Sequence, residues 1–348
     1  MNNYIYTLCD SQNVKIEKLH VCTWDLRGQK ASLEIGLSIT KTDIIPNNFD
    51  VYLFAPFIKK NSDINSLHRE LSDAENFKFI FNEKHIGNEN IGDDGRDGHI
   101  VRFFSNDGEK RMAIIRPSYE LGNGFIKLHL TTYQGDYANL YCRVLINTHF
   151  KTLAERVRGI SKEIYKYDFK VNESRNIPTE IIDYRNHKNL FVSEVDSVYC
   201  LHCVPSDYEL SYSDARKLIS LRILELEAFE RYITSLRDIE GEYIIVFQKD
   251  TLSGSYSFFT SFSRERIGNK QLTLAIATNL LCSFLFALSS WRNQGKVFSL
   301  SLANIPWEWW TALVLMIVCF FYCLSMQALI FEFIKKGCQK LAGWWKSR

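Results

Sequence analysis

Gln271 to Trp291 reads QLTLAIATNLLCSFLFALSSW, and Thr311 to Ile330 reads TALVLMIVCFFYCLSMQALI. The two runs hold 21 and 20 residues, and neither contains a charge. A helix rises about 1.5 Å per residue, so each run can cross the roughly 30 Å hydrocarbon core of a bilayer. Trp291 closes the first run, Trp307, Trp309 and Trp310 open the second, and Trp344 and Trp345 lie beyond it. Indole rings collect at the headgroup level because one edge is polar and the body is apolar. The pattern predicts a transmembrane helical hairpin, with helices over 271–291 and 311–330, in a membrane domain spanning 264–348.

Charge supports this division. Ten of the 42 Lys/Arg but only three of the 40 Asp/Glu fall from Arg264 onward, so the tail carries about +7 and the preceding part about −5. Arg264, Arg266 and Lys270 precede the first run, and Lys335, Lys336, Lys340, Lys346 and Arg348 follow the second. The intervening loop holds only Arg292 and Lys296. Basic flanks stay on the inner side, so both termini are expected in the cytoplasm of a multi-pass inner (plasma) membrane protein. The opening residues show no apolar signal core, so the long front part is expected in the cytosol. With nine cysteines, an odd number, in a reducing compartment, no structural disulfide is expected. Beyond Glu332, Ile334, Cys338, Leu341 and Trp345 share one helical face beside the lysines, an amphipathic basic tail over 332–348 suited to an anionic lipid surface.

The front part reads as mainly β, an antiparallel sandwich or open barrel. Within 1–150, β-rich runs occur at 18–24, 31–40, 49–58, 77–81, 100–104, 111–116, 124–131 and 140–148. Turn chemistry such as Asn106-Asp107-Gly108 and Gly122-Asn123-Gly124 separates them. Within 151–263, runs at 162–171 and 191–204 are expected to return to the same sheets. Ser213 then reads as the N-cap of one long helix over 213–240 stopped by Gly241, and Glu242–Lys249 reads as a further strand.

Few residues point to catalysis. Cys200-Leu201-His202-Cys203 has a zinc-like spacing, but a structural site needs four ligands and only His20 with Cys22 offers a second pair. The glycine-rich stretch 87–98 (GNENIGDDGRDG) lacks the acidic twelfth ligand of a calcium loop and the Gly-Lys-Ser/Thr of a phosphate loop, and reads as a mobile hairpin loop. No nucleophile elbow, zinc-protease or kinase signature occurs. Neither metal nor cofactor is expected, and an enzyme is not the favoured class. Arg102, Arg111, Arg116, Lys127 and Arg143 recur on the β-runs, interleaved with aromatics that include Phe103 and Tyr141. Sharing a face, they would suit an anionic ligand such as a nucleotide or oligonucleotide.

In the first apolar run, Ala275, Asn279, Ser283, Ala287 and Ser290 form a small or polar stripe, and Gln327 belongs to a weaker stripe in the second. Such residues either pack the two helices together or line a path between subunits. Two helices cannot enclose a pore, so a channel needs several copies, most simply a closed ring such as a tetramer.

A motif-poor β-rich domain followed by a two-helix hairpin resembles the membrane effectors of bacterial anti-phage systems, of the Hailong and CBASS kind. The resemblance is one of domain order over the whole chain, with 271–291 and 311–330 as the hairpin. It implies a sensor domain, a nucleotide or oligonucleotide signal, a homo-oligomer and a gated pore in the bilayer. The alternatives are a membrane-tethered binding or scaffold protein without pore activity and a membrane-bound enzyme whose site carries no known motif; the partner in either setting is an anionic nucleotide ligand or a regulatory partner protein.

Overall fold

The computed structural model describes residues 3–26, 30–159, 162–224, 226–233, 241–251, 254–265, 269–292 and 307–323. They fall into two compact units. The first covers 1–157 and 164–263, and the second covers 158–163 and 264–348.

The first unit is built on two mixed β-sheets. One runs, edge to edge, β16 (Glu209–Ser213), β19 (Tyr256–Glu265), β13 (Lys162–Val171), β1 (Asn3–Cys9), β4 (Asn48–Phe54), β10 (Phe125–Thr131) and β9 (Ser118–Leu121). Off this path, β12 (Glu155–Arg158) pairs with β13 and β14 (Phe191–Val192) pairs with β1. The other sheet runs β17 (Leu218–Leu224), β18 (Tyr243–Asp250), β15 (Glu194–Pro205), β2 (Lys15–Asp25), β3 (Lys30–Thr40), β11 (Asn139–His149), β8 (Gly108–Ile115), β7 (Gly98–Ser105) and β6 (Lys84–Ile91). Off this second path, β5 (Asp63–Ser66) pairs with β11.

Alternating apolar residues explain the layering. Ile5, Val51, Leu53, Ile126 and Phe169 of the first sheet share one buried core with Leu19, Val21, Ile35, Val144 and Val246 of the second. The expected sandwich is therefore present, but not purely antiparallel. β1 runs parallel to β13, β2 to β15 and β8 to β11. The reason is long-range docking: the strands over 162–171 and 194–205 return to the middle of the sheets beside the two N-terminal strands, a join that local hairpin chemistry does not encode.

The second sheet also buries its other face. α1 (His68–Ser72), α2 (Ala74–Phe81) and α5 (Leu226–Tyr232) contribute Leu71, Phe77 and Phe229 to a second cluster with Trp24, Tyr141, Leu145, Cys203 and Tyr243. Elsewhere, α3 (Phe150–Leu153) contributes Phe150 and Leu153 to the core between the sheets, and α4 (Thr179–Lys188) lays Ile181 and Tyr184 against Tyr52 and Phe54 on the first sheet.

Three sequence readings are corrected. Residues 77–81 are helical, because Asp73 accepts from the backbone N–H groups of Glu75 and Asn76, capping α2. The long helix over 213–240 is replaced by β17 and the short α5, with 234–240 outside the described residues. Ile219, Leu221 and Ile223 repeat every second residue, and pairing with β18 overrides the weaker helical spacing. Most of the stretch 87–98 is ordered hairpin: Gly87–Ile91 lies in β6, which pairs with β7 across a single turn at Asp93–Gly95.

In the second unit, α6 (Asn269–Arg292) contains a 20-residue apolar span, Thr273–Arg292, long enough to cross a membrane. A shorter apolar helix, α7 (Trp307–Cys323), packs against it. Cys282 donates to the Ala312 carbonyl at 3.5 Å, Phe286 meets Trp309 edge-on at 5.0 Å, and Arg292 pairs with Glu308 at 3.0 Å. Residues 324–330 of the second apolar run, Gln327 among them, and the tail 332–348 lie outside the described residues.

Candidate ligand-binding site

A cavity of about 520 Å³ opens on the second sheet where α2 meets β2, β3, β7, β8 and β11. Its aromatic wall comes from α2 and β7. Phe77 stacks obliquely on Phe81 at 4.6 Å and on Phe103 at 5.3 Å, and Phe81 meets the edge of Tyr141 at 5.2 Å. The N-cap at Asp73 fixes the helix that carries the first two rings, and the alternation of β7 brings Phe103 to the same side.

The floor is a hydrogen-bonded pair. His20 Nδ1 lies 2.8 Å from the Tyr141 hydroxyl. Burial, then the nearby charges of Arg143 and Lys18, push the His20 pKa down to about 3, so the ring is neutral. Burial pushes the Tyr141 phenol up to about 12, so it keeps its proton. Gly36 makes this pair feasible. It lies opposite His20 on one side and Arg143 on the other, and a methyl group there would overlap the Tyr141 hydroxyl.

The opposite wall is polar. Glu17 accepts from Ser38 at 3.4 Å and from the Asn139 amide, and Asn139 also donates to Ser38 at 3.3 Å. Lys18, 3.1 Å from Glu17, Lys110, 2.8 Å from Asp107, and Arg111, 3.7 Å from Asp136, bring three cations to the rim, each beside an acid, and Glu83 also lines the cavity. Aromatic faces on one side, an amide, a hydroxyl and a carboxylate on the other and lysines at the rim suit a planar heteroaromatic ligand with hydrogen-bonding edges and an anionic group that the rim cations can meet.

Behind the floor lies a buried ion pair. Glu34 on β3 and Arg143 on β11 approach to 2.6 Å with side-chain exposures of 0% and 6%. Glu34 accepts from Trp24 at 2.5 Å and from Tyr232 of α5 at 2.9 Å. Burial opposes the Arg143 charge, but Glu34 and the neighbouring phenols hold its pKa above the ordinary value.

The five basic positions expected to share a face do not do so. Arg102 and Arg111 sit opposite each other on β7 and β8 and pair with Glu89 and Asp136 at 3.7 Å. The Arg116 backbone N–H donates to the Asp97 carbonyl. Lys127 belongs to the other sheet, 2.9 Å from Asp50, and Arg143 is committed to Glu34. Of the five, only Arg111 lines the cavity. Local reading missed Lys18, Lys110, His20 and the α2 phenylalanines as a set, since only the sheet brings them together. The one sequence signal for it is a glycine inside an otherwise bulky strand.

The cysteines divide by strand alternation. Cys200 faces the core between the sheets and Cys203 faces the helix-covered side, so the two cannot grip one ion. Cys203 instead lies 3.9 Å from Cys22, sulfur to sulfur, and Cys200 lies 3.6 Å from His202. No cluster of three metal-binding side chains occurs among the described residues.

In α6, Cys282 is fully buried, whereas Asn279, Ser283 and Ala287 are exposed and Ala275 is half-buried. Most of the polar stripe therefore points away from the contact with α7. Comparison with protein-family models finds no match, and neither does comparison with curated proteins.

Proposed function

We propose that this chain is a membrane-anchored sensor whose β-unit binds a small anionic ligand of the nucleotide class and whose apolar helices act as the effector. The observation that carries this reading is the cavity, with stacking surface, hydrogen-bonding edge and lysine rim in one place. Neutral His20 and protonated Tyr141 give it an uncharged floor fit for a heterocycle. The exposed Asn279/Ser283 stripe supports the effector role, because polar groups in a bilayer need protein or water to face. Several copies presenting that stripe to one another would form a pore. The inward placement of the β-unit rests on the Lys/Arg distribution, and the anti-phage setting rests on the architectural resemblance.

Titration of the detergent-solubilised full chain with nucleoside monophosphates and with cyclic and linear dinucleotides tests the reading. Saturable binding is expected for at least one, weakened about tenfold by Phe103→Ala, since base stacking is worth about 1–3 kcal/mol. No binding by any of them overturns the ligand assignment. Conductance across a planar bilayer on ligand addition tests the effector half, and silence with a ligand that binds leaves a tethered receptor without a pore.

A further inference from the structure

The two sheets end differently at their edges. β6 carries Lys84 and Glu89 and a bulge between His85 and Gly87, and β9 is four residues long. β16 is five residues long and is broken by a bulge between Leu210 and Tyr212. Charges, bulges and brevity are the usual guards of an open edge. β17 keeps fewer of these guards. Its sequence is LISLRIL, with Arg222 its sole charge and a register shift against β18 confined to its start, between Leu218 and Ser220, and among the described residues its only strand partner is β18.

Ile219, Leu221 and Ile223 are 56%, 50% and 65% exposed. Leu221 lies opposite Val246 and Ile223 opposite Ile244. Val246 belongs to the core between the sheets, and Ile244 packs against that core. Leu221 and Ile223 therefore extend the core stripe past the point where the facing sheet covers it. The sandwich stops with apolar side chains in solvent at an edge that still has backbone groups to offer.

We propose that β17 is the docking strand for a second copy of this chain, paired antiparallel across a two-fold axis at Leu221. The strand is complementary to itself in that register. Leu221 meets Leu221 of the copy, Ile219 meets Ile223, and Arg222 meets Ser220, so no like charges oppose. The pairing continues the second sheet through both copies and gives the exposed stripe an apolar neighbour. Anchorage through α6 would hold copies in one plane and raise their local concentration. The interface does not rest on the ligand reading, because the cavity lies on other strands of the sheet.

The test is the mass of the full chain in detergent, by light scattering. The wild type is expected to hold an even number of copies. Leu221→Lys places two ammonium groups against each other on the axis and is expected to halve the mass, with the β circular dichroism unchanged. Ser220→Glu, opposite Arg222 of the copy, is expected to resist dissociation on dilution, and Ser220→Lys to dissociate sooner. Leu221→Cys with a short bis-maleimide should yield a covalent dimer that the wild type does not. A monomeric wild type, or a Leu221→Lys chain of undiminished mass, overturns the proposal, the second result assigning assembly to the helices. Nucleotide titration of Leu221→Lys keeps the two readings separable, since loss of assembly with binding intact leaves the cavity assignment standing.

Discussion

Arg143 Nε stands 2.6 Å from Glu34 Oε2, with 6% and 0% of the two side chains exposed. The pair joins β3 to β11 and, through the Tyr232 hydroxyl on Glu34, holds α5 on the second sheet. Removing one partner leaves the other charge buried without compensation, which costs about 3–5 kcal/mol, whereas an apolar pair of similar volume can be nearly neutral. Arg143→Met and Glu34→Leu should each depress the melting temperature of the solubilised chain strongly, and the double variant less than either. A double variant as unstable as the two losses added would show that the ions contribute through separate contacts.

Gly36→Ala tests the cavity floor. The added methyl displaces the Tyr141 hydroxyl from His20, so the fold survives with a rearranged floor. A destabilisation of about 1–3 kcal/mol is expected from the overpacking. Nucleotide titration should weaken more than it does for Thr40→Ala at the cavity rim. Equal binding by both variants would remove the His20–Tyr141 pair from the ligand's surroundings.

The sequence showed these features unevenly, for physical reasons. The apolar span is legible because the 21 residues from Gln271 to Trp291 carry no charge, and so long a run has few other uses. The β-layering was legible because alternation is a local signal. Lateral neighbours were not: Glu34 and Arg143 are 109 residues apart, and nothing near either one announces the other. Residues 218–224 suggest a helix because Leu218, Ile219, Arg222, Leu226, Phe229, Ile233 and Leu236 lie near helical spacing, while Ile219, Leu221 and Ile223 alternate as a strand does, and pairing with β18 decides for the strand. The expectation of one basic face failed because strands adjacent in sequence enter different sheets, as β10 and β11 do.

Acid should destabilise the β-unit through three buried histidines. Burial lowers the pKa of His20 and of His202 to about 3 and that of His68 to about 4, against 6.5 in an unfolded chain. All three rings are neutral in the fold, and an unfolded chain takes up their protons below about pH 6.5. Stability is therefore full above that pH and falls as pH drops toward the folded values. Three protons correspond to about 4 kcal/mol per pH unit in the middle of the window. Melting temperatures between pH 7.5 and 4.5 should show the decline, and His202→Gln should reduce its slope by about a third. A slope unchanged in that variant would assign the acid sensitivity to other groups.

The helical hairpin makes the sharpest distinction between neighbouring positions. Ala312 is fully buried and its carbonyl accepts from Cys282, so a larger side chain there must push α7 away from α6. Asn279 lies one turn earlier than Cys282 on the same helix, yet it is exposed and faces away from α7. Ala312→Leu is therefore expected to loosen the hairpin by about 1–3 kcal/mol, as overpacking does in tightly packed sites. Asn279→Leu should leave it intact. Tryptophan fluorescence melts in detergent read the difference, because Trp309 reports on the hairpin through its edge-on contact with Phe286. With the hairpin preserved, any change that Asn279→Leu makes to conductance or copy number must come from contacts between molecules rather than within one. Equal loosening by both variants would instead place the polar stripe inside the hairpin and leave no exposed polar face for assembly.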